Sequence, residues 1–445
     1  MEQQNIFEKL NQWLKASIMV KLLSVGFLTL VLIIPAAMIQ ELIREREMTR
    51  EEAALEVRQK WGGPQTIVGP LMVVPAVEVV EKNDKTELKE RKFYFTPENL
   101  KVESEIISQE RSRGIHPVIV YGSETHLKGN FNWSDFKVAD NIELNWDQAV
   151  LLFGVSDLKG IDDQIELMVN NDQLPVKPSG NTIAGAGIQS KITNVELEEK
   201  NQFGFEINLK LNGSGNYSIV PVAARTEAAI TSNWSHPSFK GNFLPDFWEP
   251  GEEGFLARWK VLELNRSLPS TWLDHEINHS ELQEIAFGTD FIIPVNEYQK
   301  NMRSAKYAIL IIGLSFLIYF FIEVLAKTRI HPIQYGLIGL VLVTFYTLLL
   351  SLTEQIGFDA AYLIAAVAVV TLISFYSASI FKNQARTLFL AVSLSFLYGF
   401  LYLIIQMSEI ALLAGSIGLF AILSVIMILT RRLDWYRMSL SDPAA

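Results

Sequence analysis

The spacing of apolar and polar positions divides the chain into three textures. From Leu22 to Ile39 the stretch LLSVGFLTLVLIIPAAMI carries no charge. It is long enough to cross roughly 30 Å of hydrocarbon as a helix. It exceeds the apolar segment of a cleavable signal and lacks an A-x-A site, so it reads as an uncleaved anchor with Pro35 near its outer end. Five further apolar runs follow in the C-terminal third, at about residues 307–326, 333–353, 360–380, 387–406 and 411–430, and their short connections predict one compact bundle.

Between these regions the period changes. Residues 41–60, ELIREREMTREEAALEVRQK, read as a charged helical stalk continuing the anchor. Beyond it, FEINLKLNG places Phe205, Ile207, Leu209 and Leu211 on one face and Glu206, Asn208 and Lys210 on the other, a half-buried strand. Runs at 91–95, 116–121 and 165–169 read similarly, separated by turn residues such as NGSG at 212–215. The fold class expected is a membrane protein with six transmembrane helices, one plus five, and a large β-rich, antiparallel sandwich-like domain inserted between the first and second. Whether that domain forms one sandwich or two smaller ones stays open. The expected boundaries are 1–40 for N-terminus and anchor, 41–303 for the inserted domain, 304–430 for the bundle and 431–445 for the tail. Seven tryptophans (Trp61, Trp133, Trp146, Trp234, Trp248, Trp259 and Trp272) fall in the inserted domain and are assigned chiefly to its core.

Charge sets the orientation. The bundle connections alternate between basic and acidic: Lys327, Arg329 and His331; Glu354 and Asp359; Lys382 and Arg386; Glu409; then Arg431, Arg432 and Arg437. Basic loops mark the cytoplasm, which puts both termini inside and residues 41–303 in the periplasm. Lys9, Lys15 and Lys21 agree, while Arg44, Arg46 and Arg50 stand outside among interleaved glutamates. Composition adds little to this except exclusions. The chain is 49% hydrophobic with a mean hydropathy of +0.20, too apolar for an ordinary soluble enzyme. A net charge of −11 argues against nucleic-acid binding, and the absence of cysteine removes disulfides, thiol nucleophiles and cysteine-held metals.

Seven stretches, in order, resemble the CreD family of bacterial inner-membrane proteins associated with cell-envelope integrity. They are WGGPQTIVGPLMVVP (61–75), RGIHPVIVYGSETHLKGNF (113–131), WDQAVLLFGVSDLKGI (146–161), SNWSHPSFKGNFLP (232–245), GFLARWKVLELNRSLP (254–269), VNEYQKNMRSAKYAIL (295–310) and HPIQYGLIGLVLVTFYTLLLSLTEQIGFDAAYLIAA (331–366). The resemblance implies an anchor, a periplasmic domain and a helical bundle, with no established reaction and no cofactor. It also implies a histidine after Glu354, where this chain has Gln355, so a proton relay through that pair is not expected.

Three constellations could carry chemistry. His275, Glu276 and His279 spell H-E-x-x-H, the zincin pattern in which two histidines one helical turn apart face a metal and the glutamate activates water, with Glu297 or Asp290 as a third ligand. Its polar setting, with Asp274, Asn278 and a preceding loop-like NRSLPSTWLD, favours a surface turn. Ser235, His236 and Ser238 stand close together, but neighbours on a strand point to opposite faces, which favours turn chemistry over a nucleophile and base. Within the spans, Glu323 and Glu354 are the ionisable groups to watch, although both lie near helix ends where a carboxylate stays hydrated. Small residues (Gly336, Gly339, Ala361, Ala365 and Ala366) predict close helix packing. The expected role is a non-enzymatic envelope-integrity protein whose partners are the bilayer and an envelope lipid, glycan or protein. The alternatives are a membrane-tethered zinc protease and a channel or transporter through the bundle.

Overall fold

The computed structural model describes residues 18–82, 85–193, 197, 201–251, 254–291, 297–326, 328, 330–407 and 411–431. Of the charges used above for orientation, Lys9, Lys15, Lys327, Arg329, Glu409, Arg432 and Arg437 lie outside the described residues. The chain divides into two compact units, Arg50–Pro294 and Met1–Thr49 with Val295–Ala445. The first boundary falls inside one helix, α1 (Ile18–Trp61), in which the apolar anchor passes into the charged stretch without a break. Pro35 sits within it and does not end it, as membrane helices allow.

The β unit is built from two sheets that share one core. Numbered in chain order, the ten-stranded sheet holds β1 (Gln65–Lys82), β2 (Lys85–Phe95), β5 (Ile142–Leu144), β6 (Val150–Val155), β9 (Lys177–Thr182), β10 (Gly185–Lys191), β12 (Asn216–Ile219), β14 (Pro237–Gly241), β17 (Thr271–Leu273) and β18 (Phe287–Phe291). The eight-stranded sheet holds β3 (Asn99–Arg113), β4 (His116–Asn132), β7 (Glu166–Val169), β8 (Asp172–Leu174), β11 (Gln202–Ser214), β13 (Arg225–Ser232), β15 (Phe247–Gly251) and β16 (Gly254–Leu262), in the order β15-β16-β13-β3-β4-β11-β7-β8. Phe205, Ile207, Leu209 and Leu211 on β11 are all buried, as their period of two requires. One sandwich therefore forms rather than two. It is mixed rather than wholly antiparallel, because β1 pairs with β12 and β3 with β13 in parallel.

Between the sheets a few polar groups are paired off. The Tyr217 hydroxyl lies 2.7 Å from Ser104 Oγ and 2.6 Å from Thr125 Oγ1, and the Tyr121 hydroxyl donates to the Asn216 carbonyl at 2.6 Å. Burial pushes the Tyr217 phenol up to about 12, so it stays protonated. Trp133, Trp259 and Trp272 are buried in this core, Trp61, Trp146 and Trp234 are half-buried, and Trp248 is exposed on edge strand β15.

The helical unit contains the apolar part of α1, then α3 (Glu297–Lys306), α4 (Ala308–Ala326), α5 (Pro332–Ile356), α6 (Phe358–Phe381), α7 (Gln384–Gln406) and α8 (Ala411–Thr430); α2 (His279–Glu284) belongs to the β unit. Helices α1 and α4 to α7 are long and apolar enough to cross a membrane, and α8 adds 20 residues without a charge. Gly339 on α5 does what its size predicts: a Cβ there would stand 2.3 Å from Leu32 of α1 and 2.8 Å from Phe316 of α4. Ala361 and Ala365 are fully buried on α6. Residues 297–303, expected with the inserted domain, instead begin α3, which buries Tyr298 and Ala305 in the bundle core.

Candidate functional site

The H-E-x-x-H word does not lie on one helix. His275 and Glu276 sit in a turn, and α2 begins only at His279, because Asn278 caps it: its side chain accepts from the Glu281 N–H at 3.1 Å while the Glu281 side chain reaches back. Glu276 accepts the Leu273 N–H at 2.7 Å, and His279 Nδ1 lies 2.8 Å from the Ile183 carbonyl. Asp290 is bound by Asn216 at 2.8 Å and by Lys240, and Glu297 belongs to the other unit. Among the described residues no three His, Asp or Glu side chains gather as a metal cluster. Ser235 and His236 lie in the bend between β13 and β14, both exposed, while Ser238 is on β14. No hydrogen bond joins the Ser235 and His236 side chains.

The bundle gathers its polar residues at two ends. At the first, Glu323 lies one turn from the end of α4 and is only 4% exposed. Its hydration, expected from the helix-end position, is replaced by three donors: Lys21 Nζ at 2.6 Å, the Tyr335 hydroxyl at 3.0 Å and the Ile330 N–H at 3.1 Å. Water is displaced because α1, the connection before α5 and the first turn of α5 all close over the carboxylate. The Tyr335 ring packs edge-on against Phe316 and Tyr319, and Tyr319 is hydrogen-bonded to Ser377 of α6. Arg386, at the start of α7, donates to Thr328 at 3.1 Å, bringing two of the basic connections to this same end.

At the second end, α3 is pinned across the turn between α5 and α6. The Tyr298 hydroxyl donates to Glu354 at 3.2 Å, and Glu297 Oε1 accepts the Phe358 N–H at 3.3 Å. Gly357 makes the turn with φ +79°, and a Cβ there would meet Glu297 Oε1 at 3.3 Å. Gln355 is exposed, so Glu354 is partnered through Tyr298 rather than through its neighbour. Asp359 accepts from the Tyr402 hydroxyl at 3.0 Å and the Gln406 amide at 2.5 Å, with Lys300 Nζ 3.8 Å away.

The sequence singles out Glu323 and Glu354 as candidates but does not point to the polar face of the eight-stranded sheet. A hollow of about 640 Å³ opens there over β3, β4 and β11, and a second of about 370 Å³ shares Glu105, Glu124 and Lys210 with it. Five carboxylates (Glu103, Glu105, Glu124, Asp163 and Glu166) line the larger one against two groups that can be cationic, Lys210 and His126. Cross-strand pairs hold the array: Lys210 to Glu124 at 2.9 Å, His126 Nδ1 to Asn208 at 2.6 Å, Asn208 to Glu166 at 3.1 Å, and Lys128 to Glu206. Hydrogen bonds from Lys101 and Lys128 hold the Glu103 and Glu206 carboxyls below the usual carboxylate range. A general acid needs the opposite shift. The signal was present in the alternation, since Glu206, Asn208 and Lys210 are the positions opposite the buried ones.

Both units fall within a single likeness. Residues 17–436 match the family model described as inner membrane protein CreD. The chain is 33% identical over 433 residues to the inner membrane protein CreD of Escherichia coli (strain K12), covering 96% of each. With apolar helices on either side of a β-rich unit, and a match that runs through all of them, the chain belongs to the CreD family of multi-pass inner-membrane proteins.

Proposed function

We propose that this is a non-enzymatic envelope-integrity protein whose β unit stands in the periplasm and binds an envelope glycan on the polar face of its eight-stranded sheet, with the bundle as anchor. The observation that carries this reading is the hollow over β3, β4 and β11. Its carboxylates outnumber its cations, which suits a ligand rich in hydroxyl donors, and no large apolar side chain is exposed in its lining, which does not suit an acyl chain. The orientation is supported by the bundle. Lys21 and Arg386, with Glu323, stand at one end and Glu354 and Asp359, with Lys300, at the other, so the end holding the Lys382–Arg386 connection is assigned to the cytoplasm by its basic loop.

The test is photo-crosslinking in living cells from residues placed at His126 and Asn208, with Leu88, exposed on β2 of the other sheet, as control. The reading expects adducts from the two face positions that collapse on glycan hydrolysis, and none from Leu88. Equal yields from all three positions would contradict it.

A further inference from the structure

The helical unit carries a second site, distinct in chemistry from the sheet face. A groove of about 510 Å³ runs between α6 and α7. It starts at Asp359 in the first turn of α6 and reaches Thr371, ~18 Å of helix at 1.5 Å per residue, or more than half the thickness of the hydrocarbon layer. Ala366, Val370 and Gly399 hollow its wall, and Leu363 and Val367 beside it are exposed, so the groove opens sideways to whatever surrounds the bundle. Among the described residues only its rim is charged. Asp359 is 62% exposed there, and its Oδ1 takes the Tyr402 and Gln406 hydrogen bonds, leaving Oδ2 without a hydrogen bond from any described residue. Lys300 is held 3.8 Å from Asp359, its ammonium 5.4 Å from the centre of the Phe358 ring, by the pinning of α3 on the α5–α6 turn.

We infer that this groove seats one acyl chain of an aminophospholipid with a primary ammonium headgroup. Its phosphate pairs with Lys300 and its ammonium donates to Asp359 Oδ2. Charge complementarity selects the occupant. A purely anionic headgroup could pair its phosphate with Lys300 but brings no cation to Asp359 Oδ2, and a trimethylated headgroup has no N–H to give that oxygen. The apolar trough beneath accounts for the chain, as a charged pair alone would not.

The full chain, purified in detergent and offered an equal mixture of phosphatidylethanolamine, phosphatidylcholine and phosphatidylglycerol with identical acyl chains, is weighed by native mass spectrometry. Phosphatidylethanolamine is expected to be retained roughly tenfold over the other two, the ratio that one charged hydrogen bond supplies. Asp359→Asn should abolish that preference while total retention persists. Val367→Trp should abolish retention of all three by filling the trough, with Leu363→Trp as a second filling variant at an exposed position. Equal retention of the three lipids by the wild-type chain, preference for phosphatidylglycerol, or an unchanged preference in Asp359→Asn would overturn the inference. So would undiminished retention in both tryptophan variants.

Discussion

Glu323 offers the sharpest energetic test of the bundle. Lys21→Met leaves a carboxylate that is 4% exposed with two neutral donors, the Tyr335 hydroxyl and the Ile330 N–H. Breaking a buried ion pair from one side costs about 3–5 kcal/mol, and the lower end applies here because the carboxylate left behind keeps those two donors. Glu323→Gln keeps a carbonyl acceptor for the Ile330 N–H, turns its NH2 to the Tyr335 hydroxyl oxygen, and strands an ammonium that is 29% exposed and can rehydrate, so about 2 kcal/mol is expected. In the double variant no buried charge is left unpaired, and the loss should be only about 2 kcal/mol rather than the sum of about 5, a coupling of about 3 kcal/mol. The assay is unfolding of the full chain by SDS in mixed micelles, followed by a fluorophore on Ala385→Cys, which labels uniquely because the sequence has no cysteine. Single effects that add to within about 0.5 kcal/mol in the double variant would refute the clasp as an energetic unit.

Further outcomes follow from the same packing. Gly339→Leu should cost about 1–3 kcal/mol in that titration, because its side chain must displace Leu32 of α1 and Phe316. Tyr217→Phe should destabilise the β unit by about 1 kcal/mol in denaturant, since Ser104 and Thr125 lose their shared partner but remain 3.3 Å apart. Metal analysis of the purified full chain should return no stoichiometric zinc, and His275→Ala with His279→Ala should leave envelope integrity in cells unchanged; one zinc per chain would reinstate the protease reading.

Hydropathy reads burial along one element well and burial made by several elements poorly. The spans were legible to within a few residues, because each is a continuous apolar run closed by charge, Asn or Gly, and β11 was legible because its period of two is unbroken. The parallel pairing of Gln65 with Tyr217 and of Asn99 with Arg225 was not, since alternation fixes a strand's faces and says nothing of its neighbour. Glu323 was found but assigned to water. Its position near the end of α4 is written in the sequence, whereas its covering by Lys21, Ile330 and Tyr335 is a meeting of three separate segments. The zincin word carried its own correction. Asn278 and Glu281 form an N-x-x-E capping box that starts the helix after His275 and so forbids the one-turn spacing a metal needs.

On the proposed function, the polar face of the β unit is turned to the periplasm and occupied there. The most direct measurement of this is the rate at which a small membrane-impermeant maleimide labels His126→Cys and Leu88→Cys, in intact cells and in the purified protein. Both cysteines should label in intact cells, Leu88→Cys at the same rate in both settings and His126→Cys several-fold more slowly in cells than after purification. No labelling before the inner membrane is breached would contradict the orientation, and an equal His126→Cys rate in both settings would contradict the bound ligand.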